Sequence, residues 1–585
     1  MMSESEKKIS SATVQNWKRL HTSADGRLTR RANKRESKKK ILPLEYLVHK
    51  ENIALIQEIL KIIYSENWKP AEIMFSLCVN LLKANGILDC DHVQKTLEPY
   101  RAVEIRQPLL DIPLPTDEYD LLGMIYQCIL LEGEKNAIGA YYTPRDIAAN
   151  MTKELSFANG QILLDPCCGS GSFLLACDSA DPSRLFGADS DPVAVMTAKV
   201  NLLIKYKTRI FTPNIDLSNY LENININIQQ DYSYKYKLYD YIVTNPPWGA
   251  VSDKNQSPPE ITSGETFSCF FVRAFHQLKS GGVIRFLLPE SVLNVKTHRD
   301  IRAFMLSHGV IESITRYDER FTGVTTKYID ISFKKQNYQN PRSSVILISS
   351  HGNREIDIAS FYRTKNLIFN LLDTRDTRIL DKVEQKRIYT LQDSVWALGI
   401  VTGDNKNKLS AQPRHDMEPI YTGKEISPYI LKSPKNYILY DRRQFQQAAK
   451  DEIYRAPEKL IYKFICDKLI FAYDNAGRLF LNSANILIPN IPGMSIKTVL
   501  AFLNSPLYQF LYLRLFGEVK ILKGNLIELP FPAIDSDTDQ LIYNLVDLYL
   551  ASKDYNFIRR IQDYIYHIFS VTDEEKLYIT SVIET

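Results

Sequence analysis

The sequence predicts an α/β protein: a doubly wound, mostly parallel sheet, preceded by a helical region and followed by a C-terminal α+β domain. Three observations predict it. Between residues 139 and 348, short apolar runs alternate with helical stretches, and several runs stop at an acid or a Gly/Pro-rich turn that opens a helix. Upstream, apolar residues recur at spacings of three and four. After residue 350, short strands, turns and mixed charge follow one another until helical texture returns. The 585 residues exceed what one core organises and suggest roughly three to four domains.

Residues 1–43 read as a basic arm. The net charge of the whole chain is +4, but residues 1–40 hold twelve Lys/Arg against four Asp/Glu, so the rest is net acidic. Within the arm, Ser10 or Ser11 can cap a short helix in which Val14 and Trp17 face inward and Lys18 and Arg19 outward. Two readings stand here, a helix that touches DNA and a loosely ordered arm that binds polyanions without selectivity.

Residues 44–138 read as a helical domain. Ile53, Ile56, Leu60 and Ile63 share one face, and Met74, Leu77 and Leu81 share another. In residues 139–348 strands are expected at 162–165, 185–189, 224–229, 241–244, 283–288, 311–316, 328–333 and 345–349. In a sheet of this kind ligands bind beyond the carboxyl ends of the strands, so the residues there are the candidates for chemistry. Residues 349–535 read as a separate mixed domain and residues 536–585 as terminal helices.

Two strand ends carry a cofactor signal. The run 162–165 ends in Asp165, and Gly169 and Gly171 follow in a turn that opens a helix with Phe173. Glycine lets the backbone turn sharply and a ligand approach closely, while the acid can receive a cationic amino group. About twenty residues on, the run 185–189 ends in Asp189, a spacing that suits a carboxylate accepting from ribose hydroxyls. The adjacent Cys167 and Cys168 read as small packing residues.

The run 241–244 leads into Asn245, Pro246, Pro247 and Trp248. The prolines stiffen the backbone and aim the Asn side chain and the Pro246 carbonyl at the space above the sheet edge. Two converging acceptors suit an exocyclic amino group with two hydrogens. Accepting both favours the tetrahedral, nucleophilic nitrogen as a bond to a methyl group forms, which stabilises the charge developing in the transition state. Trp248 offers a flat face for an extruded base.

These residues resemble the S-adenosylmethionine-dependent amino-group DNA methyltransferases, in the order that places cofactor motifs first, catalytic motif next and target recognition last. The resemblance implies a Rossmann-like class I methyltransferase sheet and S-adenosyl-L-methionine as cofactor. It places Tyr142 and Thr143 over the methionine moiety, Asp165, Gly169 and Gly171 at the methionine end with Phe173 packing nearby, and Asp189 on the ribose. Asp231 would meet the cofactor adenine. Asn245, Pro246, Pro247 and Trp248 would hold the target adenine, with Phe321 as a second aromatic against the flipped base. Trp248 departs from the Tyr or Phe that usually ends the catalytic motif. Asn245 favours adenine N6, since cytosine N4 enzymes more often carry Ser there. Upstream, Asp120, Gly123 and Tyr126 are similar to the helical lead-in of type I modification subunits.

The C-terminal region is similar to the target-recognition domain of TaqI-type methyltransferases, through residues around Gly403, Tyr421 to Ile426, Glu458 to Ile461 and Leu503 to Tyr508. Tyr462, Lys463, Tyr512, Arg514, Phe516, Lys520 and Lys523 are then candidates for contacts with phosphates and base edges, against a reading in which the aromatics are core. The expected function is site-specific adenine-N6 methylation of duplex DNA by base flipping, as the modification enzyme of a restriction-modification or related defence system. Three other readings stay open: a subunit of a multi-subunit system, a fused restriction-modification enzyme, and an RNA adenine-N6 methyltransferase. The expected partners are double-stranded DNA and a cognate restriction endonuclease. No run of about 18 apolar residues occurs, so no membrane association is expected. The eight cysteines form no CxxC pair and have no His at metal spacing, so neither a metal nor a disulfide framework is expected. The expected location is cytoplasmic, with the nucleoid.

Overall fold

The structure is a computed structural model and describes residues 47–130, 143–222, 237–249, 257–317, 327–336, 344–350, 352–466, 468–516 and 521–584. The chain forms two compact units that meet in sequence between Ile358 and Ala359.

The first unit opens with helices. In α1 (Ile53–Ser65) the buried residues are Ile56, Ile59, Leu60 and Ile63, the face expected from their spacing. α2 (Pro70–Ala84) starts on a proline, at the position where a missing N–H is tolerated. α3 (Asp91–Leu97), α4 (Gln107–Asp111) and α5 (Leu121–Ile129) follow. Asp120 caps α5 by accepting the Gly123 N–H. Next come α6 (Arg145–Thr152), α7 (Ser172–Ala176) and α8 (Pro192–Lys205). Met196, Val200 and Leu203 of α8 complete the apolar core of α1 to α5, so the helical lead-in is packed on one face of the sheet through α8.

The sheet has nine strands: β1 (Leu163–Asp165), β2 (Leu185–Asp189), β3 (Asn214–Leu217), β4 (Tyr239–Thr244), β5 (Leu278–Pro289), β6 (Gly309–Arg316), β7 (Tyr328–Lys335), β8 (Ser344–Ile348) and β9 (Arg354–Asp357). Their order is β3-β2-β1-β4-β5-β7-β6-β8-β9. β3, β2, β1, β4 and β5 run parallel, and β7 lies antiparallel between β5 and β6. Two further helices, α9 (Thr266–His276) and α10 (Arg299–His308), pack on β5 and β6. The expected strand at 224–229 lies outside the described residues. β3, which the sequence reading passed over, is short and its two final residues are exposed, so it lacks the apolar run that marks the other strands.

The order reverses beside β1: β2 and β3 lie to one side, β4 and β5 to the other. Crossovers leave in opposite directions at such a point, and the parted loops open a crevice at the carboxyl ends of the two strands. Asp165 ends β1 and Thr244 ends β4. One ion pair lies deep in the sheet. Arg285 of β5 and Asp330 of β7 face each other with 5% and 0% of their side chains exposed, and Arg285 also donates to the Asn150 carbonyl of α6 at 3.4 Å. The pair thus ties α6 to the sheet.

The second unit contains two small sheets. Val395–Leu398, Ala484–Ile488, Lys459–Lys463 and Phe471–Asp474 form one, in that spatial order after Val395–Leu398. Leu409–Ser410, Asn436–Ile438, Glu418–Tyr421 and Leu479–Phe480 form the other. Helices Ile496–Asn504 and Pro506–Phe516 are separated at Ser505-Pro506, where proline cannot continue the hydrogen-bond ladder. The last three helices, Ser536–Ser552, Tyr555–Ile568 and Asp573–Glu584, bury Ile542, Leu545, Ile561, Ile565 and Ile579 in the same core as Leu460 and Phe471 of the first sheet.

Candidate active site

The turn after β1 is built from its glycines. Gly169 and Gly171 have φ of 52° and 94°, a region costly for residues with a Cβ. The turn closes through Gly171 N–H to the Cys168 carbonyl at 2.7 Å, and Cys168 N–H to the Ala188 carbonyl of β2 at 2.9 Å. Phe173 and Cys168 are buried in the core beneath it.

Asp165 is 1% exposed. Its Oδ1 accepts from Thr244 Oγ1 at 2.6 Å and from Cys167 N–H at 3.3 Å. Its Oδ2 is buried with no hydrogen-bond partner. A carboxylate oxygen left in that state costs free energy until a cation or donor meets it. Burial pushes the Asp165 carboxyl up to about 7, opposed by the bonds from Thr244 and Cys167 and reinforced by the charge of Asp189.

Asp189 ends β2 and holds two turns at once. Its Oδ2 accepts from Gly169 N–H at 2.8 Å and its Oδ1 from Asp191 N–H at 2.9 Å. A carboxylate has about four acceptor sites, so Asp189 can accept from further donors. Burial raises its carboxyl above the ordinary range.

At the end of β4, Asn245 is half-buried, Pro246 buried and Trp248 half-buried. The Trp248 indole N–H donates to the Leu287 carbonyl of β5 at 3.4 Å, and the ring packs against the core that contains Val243 and Leu287. A Tyr or Phe ring has no N–H for that bond, so Trp248 has its orientation set by the neighbouring strand. After the motif, Thr266 N–H donates to the Gly249 carbonyl at 2.7 Å and joins the Asn-Pro-Pro turn to the start of α9.

The two strand ends are bridged. Cys167 Sγ lies 2.9 Å from Thr244 Oγ1 and 3.4 Å from the Asn245 carbonyl oxygen. Cys168 is packing, as expected, whereas Cys167 is a polar link between the glycine turn after β1 and the Asn-Pro-Pro turn after β4. Burial holds its thiol well above the usual range, so it stays protonated and able to donate. Thr244 and Cys167 are the residues sequence reasoning undervalued. The available signal was a hydroxyl at the last strand position before Asn245.

A second group reaches the turns from the helical lead-in. Asp120 is buried and accepts from Gly123 N–H at 2.9 Å, from Asn201 Nδ2 at 2.7 Å and from Ser170 Oγ. Tyr119 donates to the Ser172 carbonyl at 2.6 Å and Tyr126 to Asp191 Oδ2 at 2.5 Å. The Arg145 guanidinium lies 5.4 Å from the centroid of the Tyr119 ring. Thr143 is buried just before α6. Tyr142, Asp231 and Phe321 lie outside the described residues.

Residues 117–374 match the N-6 DNA methylase family, and residues 418–531 match the TaqI-like C-terminal specificity domain. The chain carries an N-6 DNA methylase domain. The matched residues hold the nine-stranded, doubly wound sheet. The type II methyltransferase M.VspI of Vibrio sp. (strain 343) is 29% identical over 317 residues, 52% of this chain and 75% of its own length. The type II restriction enzyme and methyltransferase RM.BcgI of Heyndrickxia coagulans is 24% identical over 279 residues, 45% of this chain but only 42% of that protein. Among solved structures, the type IIL restriction-modification enzyme MmeI in complex with DNA superposes with a TM-score of 0.55 at 13% identity, covering 91% of this chain and 97% of that one.

In the specificity domain the aromatics follow the core reading. Tyr462, Tyr512 and Phe516 are core, and Arg514 Nε pairs with Asp376 at 2.8 Å. Lys523 is exposed, with its ammonium 5.9 Å from the Trp396 ring centroid. Lys520 lies outside the described residues. The motif residues are structural staples. Thr422 and Glu425 form a reciprocal cap, and Asn504 both donates to and accepts from the Phe471 backbone, at 2.9 and 3.0 Å. Aromatics interleaved with cations look alike whether they line a surface or a core, and here burial won. Among the described residues no group of His, Cys, Asp and Glu could hold a metal ion, and no helix is long and apolar enough to cross a membrane.

Proposed function

We propose that this chain is a site-specific adenine-N6 DNA methyltransferase, using S-adenosyl-L-methionine and acting on duplex DNA with the target base flipped out. The observation that carries the reading is the bridged pair of strand ends, Asp165 on β1 and Thr244-Asn245 on β4, at the point where the strand order reverses. The buried, unpartnered Oδ2 of Asp165 suits the cofactor's ammonium group, the glycine turn leaves room for its methionine end, and Asp189 has lone pairs for ribose hydroxyls. The bound cofactor supplies a methyl group on a positively charged sulfur.

The chain's own residues then act on the adenine amino group. The Asn245 side-chain oxygen and the Pro246 carbonyl accept its two hydrogens, which draws the nitrogen lone pair out of conjugation and towards the methyl group. As the nitrogen–carbon bond forms and the carbon–sulfur bond breaks, positive charge passes to nitrogen, where the same two acceptors stabilise it until one amino proton leaves to solvent. Trp248, held by Leu287, stacks on the extruded ring. In this proposal Tyr142 and Thr143 cover the methionine moiety, Asp231 meets the cofactor adenine, and Phe321 faces the flipped base.

The division of labour follows the same proposal. Residues 139–348 catalyse, with β9 completing their sheet, the remainder of residues 349–535 reads sequence, residues 44–138 support the cofactor turns and residues 1–43 tether DNA, with residues 536–585 closing the specificity unit's core. A cognate restriction endonuclease is the proposed partner and the cytoplasm the proposed location. The test is transfer of tritiated methyl from S-adenosylmethionine by the full chain. Labelled duplex DNA supports the reading, and labelled RNA with unlabelled DNA overturns it.

DNA binding falls to a different set of residues from the buried aromatics. Lys406, Arg414, Lys424, Lys432, Lys435 and Arg442 are all exposed in the specificity unit. Counterion release makes each neutralised phosphate visible as salt dependence. Replacing Lys432, Lys435 and Arg442 together by Ala is expected to flatten the log–log salt slope of DNA binding by about two to three, near one for each phosphate left without its cation. Fluorescence anisotropy across a salt series measures it, and the methylated sequence stays the same.

A further inference from the structure

The two cofactor turns are held from outside the catalytic sheet. Asp120, at the start of α5, accepts from Ser170 Oγ inside the glycine turn and from Asn201 Nδ2 at 2.7 Å on α8, and Asn201 Nδ2 also donates to the Ser170 carbonyl at 3.0 Å. Three donors on one buried carboxylate fix its position. Gly123 is what lets this approach occur, since a Cβ there would lie 2.3 Å from Ser170 Oγ. One turn further along α5, Tyr126 donates to Asp191 Oδ2 at 2.5 Å. The N–H of that same Asp191 donates to Asp189 Oδ1 at 2.9 Å, and its Oδ1 accepts from Val193 N–H at 2.8 Å at the start of α8.

We infer that Asp120 and Tyr126 are positioning residues for the cofactor: one face of α5 sets the glycine turn through Ser170 and the ribose acid Asp189 through Asp191. Neither residue touches the cofactor. Each removes freedom from a turn that would otherwise lose it on binding, so each raises affinity without taking part in methyl transfer. Linkage makes the effect reciprocal: cofactor that favours the ordered turns also favours a closed α5. The inference rests on the methyltransferase reading of the site.

Calorimetric titration of the full chain with S-adenosylhomocysteine tests it. The Tyr126→Phe and Asp120→Asn variants are expected to bind about tenfold more weakly, the effect of losing one hydrogen bond to a charged group. The KM for S-adenosylmethionine rises by the same factor, while kcat at saturating cofactor stays within about twofold. Tyr64→Phe serves as control. It loses a bond that α5 makes away from both turns, Tyr64 Oη to the Cys128 carbonyl at 2.9 Å, and is expected to change thermal stability without changing affinity. Hydrogen exchange in the wild type provides a measurement independent of any variant: amides of residues 121–129 are expected to exchange more slowly with S-adenosylhomocysteine bound. Wild-type affinity in either variant overturns that residue's part, and unchanged exchange across 121–129 overturns the coupling. A wild type that binds no S-adenosylhomocysteine overturns the reading of the site instead.

Discussion

Asn245→Ala is expected to lower kcat for DNA methylation by at least about 10³-fold, the scale of losing a preorganised acceptor of transition-state charge. Cofactor affinity should stay within about twofold, because the proposed function places Asn245 at the target base and not at the methionine end. Single-turnover transfer of tritiated methyl to duplex DNA measures the first effect and calorimetry the second. Loss of cofactor binding together with activity would show that the substitution has collapsed the turn through its backbone link to Cys167, at 3.4 Å from the Asn245 carbonyl. Asn245→Gln separates the cases further, since it keeps the amide but displaces it by a methylene. A slow enzyme with normal cofactor affinity is expected.

Asp165→Asn is expected to weaken S-adenosylmethionine binding by about 100-fold or more, the scale of removing one partner from a buried charge pair. The same substitution should make the unliganded protein more stable at pH 8. The folded carboxyl is pushed up to about 7 from an ordinary 3.8, chiefly by burial. The folded state therefore holds this proton more tightly than the unfolded chain between those values. Its contribution favours folding at low pH and is lost as pH rises towards about 7, by a few kcal/mol at most. Asp120 and Asp189 are raised in the same direction by burial, so the comparison of wild type with Asp165→Asn isolates the one group. Thermal melts at pH 6 and pH 8 are the measurement. A wild-type protein whose Tm falls more steeply with pH than the variant's is the expected outcome. Cofactor affinity in the wild type should fall on acidification below about 7, by up to tenfold per pH unit, and lose that dependence in the variant. The buried acid thus trades stability of the empty protein for affinity.

Much of the sheet was legible because its signals are local. The run ending at Asp189 reproduces β2 to the residue, and the β1 and β4 runs are right to within two residues. Each is an apolar stretch ended by a polar or glycine-rich turn, and such a pattern needs no distant partner to be read. β3 was missed for the converse reason: Asn214-Ile215-Asp216-Leu217 carries one buried residue, and pairing with β2 makes it a strand. In the specificity unit the motif positions were legible but their role was not. Tyr512 and Arg514 are two residues apart in one helix; the ring is buried and the cation pairs with Asp376, a partner more than a hundred residues away in the chain.

That Asp165 and Asp189 end strands and that Asn245 follows one was readable from the chain alone, because glycine, proline and terminal acids act through the backbone beside them. Tertiary structure alone decided what those strand ends face. The register of β1 with β4 pairs Leu164 with Ile242, and that pairing brings Thr244 onto Asp165 and Cys167 across nearly eighty residues of chain. The packing of α8 into the helical lead-in likewise delivers Asp120 and Tyr126 to the turns after β1 and β2. Contacts of that separation depend on how whole surfaces fit, and no window of sequence contains both sides of the fit.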